Sequence, residues 1–157
     1  MPNFAQQTQG RMLSVYKDLI EHFRSNTPLD VTVKELFVRA EILKRDFTKR
    51  QVNLIFMIFT FSFAYGKESA LIPKLQDMEM CGVSKTLVKN ELEKLVDMNV
   101  ITWEKNELDE NIFSINNPIL WTAPYHSGYN DLRSQQLFLK NLEHANIDIT
   151  GILKALK

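Results

Sequence analysis

The chain has 157 residues, 45% hydrophobic and 24% charged, with 19 basic side chains balancing 19 acidic ones. That suits one domain with a proper core, or one domain with helical extensions, and the neutral balance counts against tight non-specific nucleic-acid binding. A single cysteine, Cys81, excludes an internal disulfide and a cysteine zinc site.

In chain order, residues 1–10 are polar, lack the apolar stretch of a signal peptide, and are expected to be flexible. Met12, Val15, Tyr16, Leu19, Ile20 and Phe23 recur at helical spacing, so an amphipathic helix is expected from Arg11 to Arg24. Pro28 closes that segment, and Leu36 to Leu43 suggests a second, shorter helix. Residues 11–46 thus read as an N-terminal helical extension.

Thr48-Lys49-Arg50-Gln51 is a capping box, in which each end of the first turn satisfies an amide of the other. The apolar run behind it, Val52 to Tyr65, is too short for a bilayer, which needs about 20 apolar residues. It predicts a core helix stopped by Gly66. Ser69 to Ile72 suits a short strand, and Pro73 the first turn of a helix reaching Met80, with Leu75 and Met78 inward. Cys81-Gly82-Val83 forms a turn, and Ser84 is expected to cap a third helix over 85–98. Leu87, Val88, Leu92, Leu95 and Val96 form its buried stripe, and Asn99 suits a left-handed end. Two strand-like runs, 100–105 and 111–116, flank a polar loop and predict a hairpin.

The order helix, strand, helix, turn, helix, hairpin is that of a winged helix-turn-helix at 47–116. Beyond it, 117–157 reads as an aromatic-rich loop around Trp121, Tyr125 and Tyr129, then a helix that Asp131 caps, and a last short helix after Asp148. The fold class expected is mainly α, a winged-helix core with extra N- and C-terminal helices. The apolar stripes of those extensions are too large to stay wet, so they pack on the core or form a homodimer.

No catalytic constellation is present. The chain has no phosphate-binding glycine loop, HExxH or nucleophile elbow. His22, His126 and His144 lack metal-ligand spacing. No enzymatic activity, cofactor, metal or membrane partner is expected. One cysteine without a disulfide fits a reducing cytoplasm.

The third helix is the best candidate for chemistry. Opposite its buried stripe lie Lys85, Thr86, Lys89, Asn90, Glu93 and Lys94. Lysine and asparagine there suit guanine and adenine edges, and threonine a phosphate or a thymine methyl. Free amides at Ser84 to Thr86 can meet a phosphate. A second basic cluster, Arg39, Lys44, Arg45, Lys49 and Arg50, could grip the backbone, of which Arg45, Lys49 and Arg50 are the choices for that role. The hairpin argues the other way: Glu104, Glu107, Asp109 and Glu110 outweigh Lys105, so only Lys105 and Asn106 are weak candidates there. A solvated helix face and a solubilising charge cluster are the plainer alternatives.

The run Phe47-Thr48-Lys49-Arg50-Gln51-Val52, then Tyr65-Gly66-Lys67, Ile72-Pro73-Lys74-Leu75, and Cys81 through Val88 to Leu92-Glu93-Lys94-Leu95 and Val100-Ile101 resembles a known group. That group is the N-terminal domain of phage replication proteins of the O type, also called replisome organizers. The resemblance covers about residues 30–116. It implies a replication initiator in the cytoplasm of a bacterial host. Such a protein binds origin repeats in double-stranded DNA, opens DNA nearby and helps recruit a helicase loader or the replicative helicase. By position, Gly82 to Lys94 is the reader. A winged-helix transcription regulator and a winged-helix protein-interaction module use the same pattern and stay open as alternatives.

Overall fold

A computed structural model describes residues 31–147, with side chains from Glu35 onward. The expectations for 1–10, for the helix at 11–24 with its proline stop, and for the helix after Asp148 lie outside the described residues. The described chain is mainly helical with one small antiparallel sheet. It forms two compact units, one of residues 45–124, the other of 31–44 together with 125–147.

In the 45–124 unit the first element is α2, Lys49–Thr60, which follows α1, Val31–Lys44, of the other unit. The capping box is present. The Gln51 amide donates to Thr48 Oγ1 at 3.2 Å, and the Thr48 amide to Gln51 Oε1 at 2.9 Å. One face of α2, with Leu54, Ile55, Met57, Ile58 and Phe59, is buried. The helix stops at Thr60, short of the expected Tyr65. The Thr60 and Ser62 hydroxyls donate to the Phe56 and Ile58 carbonyls, both at 2.7 Å, and such back-bonding competes with the helical ladder. A 3-10 turn, Phe63–Tyr65, completes the segment and ends on Gly66 at φ 70°.

Strand β1, Ser69–Ile72, is followed by a 3-10 helix, Leu75–Cys81, where a regular helix starting at Pro73 was expected. Met78 is buried there, and Leu75 is half-buried. Gly82 ends it at φ 86°, in open space. The left-handed backbone is the sole reason for glycine at that position. Gly82→Ala should therefore destabilise the unit by about 1 kcal/mol, read from urea denaturation. An unchanged midpoint would mean that the turn can rearrange.

Helix α3, Lys85–Asp97, buries Val88, Leu92 and Leu95, while Leu87 and Val96 of the expected stripe are half-buried. Its chain leaves through Asn99 at φ 59°, the left-handed end read from the sequence. Strands β2, Ile101–Lys105, and β3, Asn111–Ile115, pair antiparallel as expected, from Ile101 opposite Ile115 to Lys105 opposite Asn111. β1 adds to the other side of β3, so the order is β1-β3-β2. Ala70, Ile72, Ile101, Phe113 and Ile115 face the core that also takes α2 and α3.

The loop after β3 packs within the same unit. Asn117 Oδ1 accepts from the Ile119 amide at 3.0 Å and caps a 3-10 turn, Pro118–Leu120. Trp121 is buried edge-on to Phe47 and donates through Nε1 to the Asn116 carbonyl at 2.9 Å.

In the second unit α1 is longer than the helix expected at 36–43 and buries Phe37, Val38 and Ile42. Helix α4, Asp131–His144, is capped by Asn130, not Asp131: Asn130 Oδ1 accepts from the Arg133 amide at 3.0 Å. Asp131 is instead buried. It accepts from the Tyr129 hydroxyl and, through its other oxygen, from Gln135 Nε2 at 3.0 Å. Burial, then the hydrogen bond to Asp131, push the Tyr129 hydroxyl far above its ordinary range, so it stays protonated. Phe37 meets Phe138 edge-on at 6.0 Å, and Tyr125 stacks on Tyr129 at 4.5 Å.

Candidate nucleic-acid interface

α3 is held in place from both ends. At its start, Asn53 Nδ2 on α2 donates to the Cys81 carbonyl at 3.2 Å, tying the core helix to the turn that launches α3. At its end, Asn116 Nδ2 donates to the Asn99 carbonyl at 3.0 Å. Buried Val88, Leu92 and Leu95 fix which face points inward.

The opposite face is open. Lys85, Thr86, Lys89, Asn90, Glu93 and Lys94 are all exposed, as the helical period predicts. Lys85 and Lys89 form no ion pair among the described residues, whereas Lys94 lies 3.7 Å from the Glu91 carboxylate. Ser84 is exposed too, but its hydroxyl does not cap the helix. It lies 3.2 Å from the Thr86 hydroxyl, and no backbone amide donates to it. The Ser84 carbonyl takes the amides of Leu87 and Val88. The Lys85 and Thr86 amides therefore keep their donors at the positive end of a 13-residue helix.

Glu91 was not singled out from the sequence. It is buried, and one of its oxygens has no hydrogen-bond partner among the described residues. The spacing 88, 91, 92, 95 would have placed it on the buried stripe. Its acidity argued for the outer face, and the pairing with Lys94 explains in part how the core side tolerates it.

The members of the second basic cluster differ in their surroundings. Lys49 and Arg50, in the first turn of α2, are exposed and form no ion pair among the described residues. Arg45 is corrected: it is buried, with 6% of its surface exposed, and its guanidinium serves the protein. Nη1 donates to the carbonyls of Trp121 and Ala123 at 3.2 and 3.0 Å, and Nη2 to that of Pro118 at 3.4 Å. The guanidinium also lies 5.4 Å from the Trp121 ring centre. A fork engaged in this way has no reach to a phosphate. Lys44 is likewise buried against Glu41, at 2.6 Å, and Arg39 is paired with Glu35 at 3.3 Å.

The hairpin tip is acidic and built around Asn106. Its side-chain oxygen accepts from the amides of Leu108 and Glu110, at 3.0 and 2.9 Å, and its Nδ2 donates to Glu110. Lys105 forms an exposed ion pair with Asp109 at 3.4 Å. Asn106 is thus occupied in shaping the turn. Behind the tip, buried Asn111 takes a hydrogen bond from Trp103 Nε1 at 2.9 Å and gives one to the Pro73 carbonyl at 3.2 Å. These bonds tie the base of the hairpin to the end of β1.

The 45–124 unit carries nine basic and eleven acidic side chains, a balance of minus two. Five of the nine cations lie on α3 and in the first turn of α2, where Glu91, Glu93 and Asp97 offset the three lysines of α3. Cys81 is half-buried, donates to the Met78 carbonyl, and has its thiol pushed up by burial, which suits a packing role over a reactive one. No group of three His, Cys, Asp or Glu among the described residues could hold a metal ion, and no described helix is long and apolar enough to cross a membrane.

A family model described as bacteriophage replication protein O matches residues 33–119. No curated protein and no solved structure matches the chain.

Proposed function

The chain belongs to the bacteriophage replication protein O family, and we propose, from that membership and the open face of α3, that it is a replication initiator binding origin DNA. In this reading the 45–124 unit is a winged helix, the 3-10 helix and α3 are its helix-turn-helix, and the β2–β3 hairpin is its wing. The observation that supports it most is the solvent face of α3, where Lys85, Thr86, Lys89 and Asn90 stand beside first-turn amides with no partner among the described residues. Family membership favours replication over transcriptional regulation.

Lys89 and Asn90 lie one turn into α3 and read base edges in the major groove. Ser84, Lys85, Thr86 and the first-turn amides take a phosphate or an edge base. Lys94 assists from the third turn, tempered by Glu91. Lys49 and Arg50 grip the backbone without regard to sequence. The acidic wing stays clear of the phosphates, with Lys105 a minor contact. No catalytic step is part of this function. Recruitment of a helicase loader or replicative helicase in a bacterial host cytoplasm is proposed on the same family ground.

Fluorescence anisotropy on duplexes from the gene's own coding region, against scrambled duplexes, tests the reading. Lys89→Ala or Asn90→Ala should each cost about 1–3 kcal/mol on the specific site and relax preference there. Lys49→Ala and Arg50→Ala should weaken every sequence alike and flatten the salt slope by about one unit each. A wild-type protein that binds no duplex at low salt would overturn the initiator reading.

Glu107→Lys should strengthen binding to all duplexes at low salt, with the gain fading as salt screens it. Asp109 is the poorer position for that change, because it sits at φ 63°, where a lysine would be strained. Weaker binding by Glu107→Lys would mean that the wing's acidity serves the complex.

A further inference from the structure

Beside β1 lies an apolar groove of about 310 Å³, lined by Met57 and Phe61 of α2, Leu71 and Ile72 of β1, Pro73, and Asp77 and Met80. Leu71 is 44% exposed and Met80 69%, and both line this one groove, so their apolar surface is contiguous and not scattered. Methionine adapts its shape to whatever lies against it. None of these residues belongs to the DNA face proposed above.

The groove takes in Leu71 and Ile72 of a strand at the edge of the sheet. β1 is the outer strand of the sheet and pairs only with β3. On its other side, alternate N–H and C=O groups point away from the sheet, and no backbone hydrogen bond outside the ladder involves Ser69–Ile72 among the described residues. An added strand needs two things, main-chain partners along an edge and a pocket for every second side chain. Here the edge of β1 is open, and one apolar groove lies beside its Leu71–Ile72 end. β1 also carries neither a lysine nor a proline within it, the usual guards of an exposed edge.

Charge decides what kind of strand fits. Asp77 is the one charged residue among the seven that line the groove. One of its oxygens accepts from the Lys74 amide at 3.2 Å, as part of the turn, and the carboxylate is otherwise exposed. A carboxylate beside an apolar groove attracts a cation and repels a phosphate. We propose that this groove and the free edge of β1 dock an extended apolar segment of a partner protein that carries a lysine or arginine for Asp77. The docked segment becomes a fourth strand, antiparallel or parallel to β1, with two of its apolar side chains against Met57, Phe61 and Met80.

The probe is a soluble ten-residue peptide with valine and threonine alternating and one central lysine, capped at both ends. Three controls accompany it: one with glutamate for lysine, one with alternate amides N-methylated, and the protein variants Met80→Asp and Asp77→Asn. Asparagine keeps an oxygen for the Lys74 amide while removing the charge. Backbone amide shifts of the full chain are followed by NMR. The expected result is saturable shifts at Ser69–Ile72 and around Met80, weakened at least about tenfold by N-methylation and by Met80→Asp. Asp77→Asn and the glutamate peptide should each weaken binding severalfold, and more so at low salt. DNA anisotropy of the same variants should be unchanged, which separates this proposal from the initiator reading. No binding by the lysine peptide, or shifts that map elsewhere, would overturn it. So would concentration-dependent shifts of the same amides without peptide, together with a dimer in sedimentation, since the occupant would then be a second copy of the chain.

Discussion

Arg45→Ala should cost the 45–124 unit about 2–4 kcal/mol of stability while leaving DNA affinity unchanged at temperatures where the variant is folded. Three carbonyls, of Pro118, Trp121 and Ala123, lose the donors that satisfy them. The Trp121 ring loses the guanidinium beside it, and the aliphatic stem leaves a gap in a site that is only 6% exposed. Arg45→Lys should recover part of the loss, because one ammonium cannot span carbonyls that a planar fork reaches together. The measurement is urea denaturation, paired with a salt titration of DNA binding. A salt slope reduced by one unit, with stability intact, would return Arg45 to the DNA backbone.

Leu92→Ala and Leu95→Ala should each cost about 2–5 kcal/mol. Both side chains are fully buried, at 0% exposure, on the inner face of α3. The spread in the expected cost reflects how far α2 and the sheet can close around the cavity. The larger consequence is functional. These two leucines hold α3 at one rotation, so their loss blurs the outer face that carries Lys85, Lys89 and Asn90. DNA affinity should therefore fall even in variants that remain mostly folded. Denaturation midpoints and anisotropy on the same samples check both parts. A stability loss below about one unit at both positions would show that the buried face of α3 lies elsewhere.

Much of the 45–124 unit follows from local rules that need no tertiary information. The Thr48–Gln51 box, the left-handed Gly82 and Asn99, the β2–β3 hairpin and the open face of α3 all depend on residues close in sequence. A cap, a turn or a helical stripe is decided within a few residues, so spacing alone reveals it. The lysines and asparagine of α3 were legible for the same reason: once Val88, Leu92 and Leu95 face inward, the others have to face out.

The remainder depended on partners far away in the chain, or on local competition between side chains that residue type and spacing do not rank. Arg45 looks like Lys49 and Arg50 in sequence, and only the return of residues 118–123 makes it a core residue while the other two stay exposed. Ser84 has the right type and place for a cap, yet its hydroxyl turns to Thr86. Asp131 gave way as a cap to Asn130 because Tyr129 and Gln135 claim its carboxylate. The groove beside β1 joins residues of α2, β1 and the 3-10 helix that no periodicity connects. Within residues 45–124, sequence by itself determined the order of helical segments, turn and hairpin, and which side of α3 faces water, because those choices are set by neighbours in the chain, whereas where α2 stops and the 3-10 form of 75–81 were not legible. Tertiary structure alone decided which charges are spent inside the protein and which remain for a partner, because a buried polar group goes to whatever donor or acceptor the fold brings within about 3 Å of it.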